Sequence, residues 1–158
     1  VLLTKGIKKL ALLGGNESYS VTKHRYQGFI RAHEQQGLSF VPDMVYMNTD
    51  NQLKVTEAVT EALAHGAEGF VCMDDVICNM CLGSLREKKL RIPTDIRVAS
   101  LYDSTNLEYN NPPVTSVRFD TVRLGRMACA KLLQLLGENP REELLPLSYQ
   151  IVLRESTQ

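Results

Sequence analysis

The segment 14–25 carries several hydroxyl side chains and one well-placed cation, Arg25. The segment follows an apolar run, and Arg25 falls about one turn into the helix predicted after it, where it could reach back over the end of that run. A planar guanidinium with five N–H donors suits sugar hydroxyls, carbonyls or carboxylates. Spacing alone leaves two interpretations open, a ligand contact and an ordinary surface arginine.

Carboxylates follow two other apolar runs. Asp74 and Asp75 end one run and open a predicted helix, and Asp103, beside Tyr102, ends another. A carboxylate pair could accept hydrogen bonds from ligand hydroxyls or hold a cation. One member of the pair could instead cap the helix, and we expect Asp75 to take this role.

The motifs of common catalytic and cofactor sites are missing from the sequence. It has no G-x-S-x-G, H-E-x-x-H, P-loop or G-x-G-x-x-G, and we expect its three histidines to face solvent or the edge of the core. Cys78 and Cys81 form a C-x-x-C, but they lack a second ligand pair at zinc spacing. Together with Cys72 and Cys129 they lie in apolar segments, so we expect buried thiols in a reducing, cytoplasmic compartment. We predict that the protein is not an enzyme and uses no cofactor or metal ion.

Composition limits the class of protein. The 158 residues are 44% hydrophobic and 23% charged, which suits one domain with a substantial core. The 18 Lys and Arg residues balance 18 Asp and Glu residues, so this segment has no basic excess for binding nucleic acid. No apolar run approaches the ~20 residues that cross a bilayer, so we expect no membrane partner. Residues 1–6 resemble the end of a helix closed by Gly6, and we expect them to continue a longer chain.

Apolar periodicity predicts strands that alternate with helices. Strands are predicted at residues 9–13, 43–47, 69–73, 96–101, 114–119 and 146–154, and helices at residues 22–36, 52–65, 76–88 and 121–136. Residues 103–113, rich in Asn and Pro, are predicted to form an irregular loop. This order predicts an α/β fold with a mainly parallel sheet and helices on both faces. Ligands of such sheets bind beyond the carboxyl ends of the strands.

Several blocks of the sequence resemble the effector-binding domain of LacI/GalR-type transcription regulators. They occur in the family's order over nearly the whole chain, and they comprise residues 8–15, 25–29, 74–75, 90–98, 112–118, 124–128 and 150–157. The resemblance implies one lobe of a type I periplasmic-binding-protein-like fold. It also implies a repressor that binds a small molecule, such as a sugar or related metabolite, between two lobes. DNA would be bound only through an N-terminal helix-turn-helix outside this segment.

The family's chain path implies how this segment is divided. Residues 1–118 would form the C-terminal lobe, residues 119–140 would cross to an N-terminal lobe that is mostly missing here, and residues 141–158 would return. The apolar face of the crossing helix would then lack its usual partners. The implied protein is a cytoplasmic homodimer. An extracytoplasmic solute-binding protein of the same fold is the alternative, and an enzyme that uses Asp74 and Asp75 with a metal is a third possibility.

The resemblance also implies which residues contact the effector. Arg25 matches the family's effector-contacting arginine, and Asp74 matches an Asn or Asp that hydrogen-bonds the effector. Tyr19 and Val21 match loop positions that line the pocket.

Two further positions match the pocket but depart from the family's pattern. Asn48 stands where relatives often place an aromatic ring that stacks on the ligand. Tyr102 stands where relatives often have an Asp. The loss of an aromatic platform and of a carboxylate weighs against a simple hexose as the effector.

Overall fold

A computed structural model describes residues 1–39, 41–138 and 147–158. The strands described are β1 (Leu10–Leu13), β2 (Val45–Tyr46), β3 (Gly69–Cys72), β4 (Arg97–Ser100), β5 (Thr115–Phe119) and β6 (Tyr149–Val152). The α-helices are α1 (Ser20–Gln35), α2 (Gln52–Ala64), α3 (Asp75–Glu87), α4 (Thr105–Glu108) and α5 (Thr121–Leu135). The predicted alternation of strands and helices is confirmed.

The strands form one sheet in the order β2-β1-β3-β4-β5-β6. Every neighbouring pair from β2 to β5 is parallel, and only β5 and β6 run antiparallel in the sheet described. The predicted mainly parallel sheet is therefore confirmed. The chain leaves β1 for β2 on one side and later returns to β3 on the other, so the strand order reverses between β1 and β3. A reversal of this kind opens a crevice at the carboxyl ends of the strands.

The sheet is covered by helices on both faces, as predicted. Successive strand residues point to opposite faces, so Leu10 and Leu12 pack on the side of α1, whereas Ala11 and Leu13 pack on the side of α2 and α3. All residues of β1 and β3 are buried, as expected for central parallel strands. Across residues 1–39, 41–138 and 147–158, no helix has the length and apolarity to cross a membrane.

Residues 103–113 are not wholly irregular, so that prediction is wrong. They contain the short helix α4, and the Asn-Asn-Pro-Pro run at residues 110–113 follows this helix rather than interrupting it. Leu107 holds α4 in place: its side chain is fully buried, and its carbonyl accepts a hydrogen bond from the amide of Val114 at 2.9 Å. A single buried leucine gives too weak a periodic signal to predict a helix of one turn.

Helix α5 differs from the other long helices because its apolar face is open to solvent. The predicted face includes Leu124, Leu132 and Leu135, which are 48%, 57% and 74% exposed. Cys129, on the same helix, is also exposed, so the expectation that all four thiols are buried is wrong for this residue. The predicted start of the last strand, at residue 146, lies outside the described residues.

Candidate functional site

Arg25 lies where the sequence placed it, across the carboxyl ends of the strands. It projects from α1, is half-buried, and donates a hydrogen bond from Nη1 to the carbonyl oxygen of Met73 at 2.5 Å. Met73 directly follows β3. The bond therefore joins the first helix to the strand end on the far side of the switch point and fixes the position of the guanidinium.

Asp74 is the next residue after Met73, so the structure brings Arg25 and Asp74 to the same strand end. The Asp74 backbone is extended, and its Oδ1 accepts a hydrogen bond from the amide of Ile77 at 2.8 Å. Asp74 is therefore the N-cap of α3, and the expectation that Asp75 takes this role is wrong. Asp75 already has helical geometry, and a cap requires the extended residue just before it.

Asn48 joins two of the strand-end loops. Its backbone has a positive φ of 58°, which asparagine tolerates better than a bulky residue, and its amide donates to the carbonyl of Gly15 at 3.0 Å. Its Oδ1 accepts from the amide of Glu17 at 3.3 Å, and its Nδ2 donates to Glu17 Oε1 at 3.4 Å. Asn48 thus ties the loop after β2 to the loop after β1.

Tyr19, Val21 and Tyr102 expose their side chains at the same edge of the sheet. Tyr19 precedes α1 and is 63% exposed, and Val21 in the first turn of α1 is 48% exposed. Tyr102 follows β4 and is held through its backbone: its amide donates to Ser100 Oγ at 3.2 Å, and Ser100 Oγ donates to its carbonyl at 2.7 Å. Both of these hydrogen bonds join Tyr102 to Ser100 and not to another predicted site residue.

A buried ion-pair network lies beside Tyr102, and sequence reasoning did not find it. The side chains of Asp103 and Arg154 are 7% and 10% exposed, and Arg154 Nη1 contacts Asp103 Oδ1 at 2.7 Å. Arg118 Nε contacts the other carboxylate oxygen at 2.6 Å, and Ser116 Oγ donates to Oδ1. The sequence identifies Asp103 as a strand-end carboxylate, but two of its partners lie on β5 and the third, Arg154, follows β6, so they meet only in the folded protein.

The charge on Asp103 is stabilised by these partners. Burial is the largest influence and by itself would raise the pKa of Asp103, but hydrogen bonds from Arg154, Ser116 and Arg118 outweigh it and lower the pKa to about 2. The carboxylate therefore stays ionised at neutral pH. Its two arginine partners supply the compensating positive charge that a buried carboxylate requires.

The C-x-x-C pair is part of the core. Cys72, Cys78 and Cys81 are buried together where β3 meets α3. A hydrogen bond with Cys72, followed by burial, raises the pKa of Cys78 well above its usual value, so its thiol stays protonated. Over the described part of the chain, no group of three or more His, Cys, Asp or Glu residues could hold a metal ion. His33 is buried as well, against the expectation that it faces solvent or the core edge, and its Nδ1 lies 2.9 Å from the carbonyl of Phe29.

Comparisons with known proteins assign the fold to a family. Residues 1–157 match the family described as a periplasmic binding protein-like domain. The chain is 28% identical over 159 residues to the HTH-type transcriptional repressor PurR of Pasteurella multocida (strain Pm70), a match that covers 98% of this chain and 47% of that protein. It is similar to the solved structure of the transcription regulator CcpA of Lactococcus lactis, with 25% identity and a TM-score of 0.87 over 99% of this chain and 58% of that one.

A complex of the transcriptional regulator CelR with cellobiose is also similar, with 28% identity and a TM-score of 0.84 over 98% of this chain and 48% of that one. The chain spans about half the length of the curated relatives it matches. These relatives are transcription regulators. The chain therefore belongs to the periplasmic binding protein-like domain family, and within it to the effector-binding domains of LacI/GalR-type regulators.

Proposed function

We propose that this chain is the small-molecule-sensing part of a transcription repressor. The observation that carries the proposal is the hydrogen bond from Arg25 Nη1 to the Met73 carbonyl. This bond supports the proposal because it holds the guanidinium against the residue that follows β3, one position before Asp74, without the help of a ligand. Polar groups that are fixed before binding lose little conformational freedom when the ligand arrives, which favours tight and specific binding.

The side chains at this edge suit a small polar molecule such as a sugar or related metabolite. Arg25 would donate hydrogen bonds to it, and Asp74 would accept them from hydroxyl groups through Oδ2, because Oδ1 caps α3. Tyr19 and Tyr102 would add exposed aromatic rings. Binding of cellobiose by the related CelR supports the sugar class.

Residues Val21 and Asn48 would complete the wall of the pocket. Val21 offers an exposed apolar side chain, and Asn48 holds two loops together through Glu17 rather than presenting an aromatic ring. The shape of this wall would therefore depend on a hydrogen-bonded loop pair. This favours ligands recognised through their polar groups over ligands recognised by stacking at this position.

The effector would be bound between two lobes. In this proposal residues 1–118 form the C-terminal lobe, residues 119–140 cross to the other lobe, and residues 141–158 return. The exposed leucines of α5 support the crossing, because the other lobe would cover them. The protein would be a cytoplasmic homodimer whose DNA contacts belong to an N-terminal helix-turn-helix outside this segment, in keeping with the net charge of zero.

The test is a thermal-shift screen of the full-length protein with cellobiose, simple hexoses and nucleosides. A ligand at a hundred times its Kd stabilises the state it binds by about 2.7 kcal/mol, which is a readily measured shift. We expect Arg25→Ala to abolish the shift and the effector response while operator binding is retained. Arg31→Ala is the matched control, because Arg31 is an exposed arginine on the same helix. A normal effector response in the Arg25→Ala protein would show that the site is assigned wrongly.

A further inference from the structure

We propose that Asp103 is a positioning residue for the strand-end site, because it fixes the adjacent Tyr102 by tying the loop after β4 to β5 and β6. The proposal rests on the proposed function in one respect only, which is that Tyr102 forms part of the effector pocket. The carboxylate itself would not touch the effector. It would act by holding the neighbouring aromatic residue in place.

The Asp103 carboxylate has no acceptor site left for a ligand. Oδ1 accepts from Arg154 Nη1 at 2.7 Å and from Ser116 Oγ. Oδ2 accepts from Arg118 Nε at 2.6 Å and from Arg154 Nη2 at 3.4 Å. Two oxygens offer about four lone-pair positions, and these four bonds occupy them. Asp103 therefore serves inside the protein, although it follows β4 at the edge where a ligand would bind.

The partner of Asp103 is held as firmly as Asp103 itself. Arg154 Nη1 also donates to the carbonyl of Val114 and to Ser116 Oγ, each at 2.7 Å. The backbone amide of Arg154 donates to Thr115 Oγ1 at 2.9 Å, and its carbonyl accepts from the same hydroxyl at 3.0 Å. Arg154 thus has a single position relative to β5, and the loop after β4 is anchored to it.

The same anchor continues into the chain that follows Arg154. Ser156 is fully buried, and its Oγ donates to the carbonyl of Val98 in β4 at 2.6 Å. The residues after β6 are therefore bonded to β4 at one point and, through Arg154 and Asp103, to the loop that follows β4 at a second. Two points of attachment fix both the place and the direction in which the chain leaves β4.

The position of Tyr102 depends on the bonds of Asp103 as well as on its own hydrogen bonds to Ser100. Its hydrogen bonds run from its backbone to Ser100, and its side chain is 36% exposed. The backbone position from which the ring projects is therefore held by Ser100 before Tyr102 and by Asp103 after it. Without the Asp103 charge, the ion pairs left to Arg118 and Arg154 in the described part of the chain would be their longer contacts with Glu108 Oε2, at 3.3 and 3.7 Å. The loop after Tyr102 would then lose its bonds to β5 and to Arg154.

The test uses full-length protein labelled with 3-fluorotyrosine and observed by ¹⁹F NMR. The Tyr102 resonance is assigned in each background by its loss in Tyr102→Phe. We expect Asp103→Asn and Arg154→Met to move or broaden the Tyr102 resonance by more than its line width. Asp103→Glu, which keeps the charge, should restore most of the parent signal, which a general loss of stability would not explain.

Asp95→Asn is the matched control. Asp95 also has an arginine partner and a pKa lowered to about 2, first by its hydrogen bond with Arg91, but that pair lies on the surface. The Asp95→Asn substitution should leave the Tyr102 resonance unchanged. Arg118→Gln removes only the half-exposed partner and should give a smaller shift even if Asp103→Asn fails to fold. An unchanged Tyr102 resonance in Asp103→Asn and Arg118→Gln would overturn the proposal. No effector or DNA is needed, so this outcome is independent of the screen that tests the proposed function.

Discussion

The region from β1 to β4 and the region from β5 to β6 bury their apolar residues to very different extents. In the first, all residues of β1 and β3 are buried, and α3 alone buries six side chains. In the second, α5 buries only Ala130 among its 15 residues, and β6 buries none of its four. Both regions have strong apolar periodicity, so a periodic pattern predicts an element and its apolar face but does not say what covers that face.

The two regions also use their apolar residues differently: one to stabilise this segment, the other, as we propose, to contact a further part of the protein. The first region supplies its own core on both faces of the sheet, so its apolar residues stabilise this segment directly. The second presents leucines to solvent, which supports the proposal that a further lobe covers them. The ion-pair network around Asp103 and Arg154 connects the two regions, since it links the loop after β4 to the end of β6.

The largest expected effect contrasts one large side chain from each region. Phe70→Ala removes a fully buried ring from β3 and should lower the free energy of unfolding of this segment by about 3–5 kcal/mol. Leu135→Ala on α5, where the side chain is 74% exposed, should change it by less than about 0.5 kcal/mol. Urea denaturation followed by circular dichroism measures both. Similar losses for the two variants would contradict the division into two regions.

The second-largest expected effect is on the pH dependence of stability, and it involves the ion pairs of Asp103, which connect the two regions. The folded pKa of Asp103 is about 2, below its ordinary value of 3.8, so its contribution to stability is present above pH 3.8 and is lost as the pH falls through about 2. The loss should be on the order of 2 kcal/mol. Denaturation at several pH values between 5 and 2 should show a flatter profile for Asp103→Asn. If Asp103→Asn loses stability between pH 5 and 2 as steeply as the parent protein, the Asp103 ion pair is not the cause of the loss.

A smaller effect distinguishes capping from binding at Asp74. Asp74→Ala loses the bond to the amide of Ile77 and should cost about 1 kcal/mol of stability, whereas Asp74→Asn can still cap α3 and should cost much less. Thermal unfolding measures both variants. If the proposed site is correct, Asp74→Asn should weaken effector binding despite normal stability. Equal stability losses for Ala and Asn would contradict the capping role.

The smallest effect involves no change in stability. Cys129 on α5 is exposed, whereas Cys72, Cys78 and Cys81 are buried in the first region. A thiol reagent such as dithionitrobenzoate should therefore label one cysteine rapidly in the native segment and the other three only after denaturation. Rapid labelling of a second cysteine would show that the core around α3 opens more readily than its burial indicates.

Much of the fold could be predicted because its signals are local. Apolar runs closed by Gly or Asp marked most strands, and the apolar segment around Cys78 and Cys81 correctly predicted that both are core residues. Predictions failed where a signal was only one turn long, as in α4, or where one residue decides the geometry, as in the choice of Asp74 over Asp75 as the cap.

By itself, the sequence determined the order of elements, the mainly parallel sheet and the placement of Arg25 and Asp74 at strand ends, because periodicity and turn chemistry act over a few residues. Only the tertiary structure decided that Arg25 bonds the carbonyl of Met73 and that Asp103 pairs with Arg154, 48 and 51 residues apart in the chain. Contacts over such separations form only when strands pair and helices pack, so the local sequence around each residue does not predict its partner.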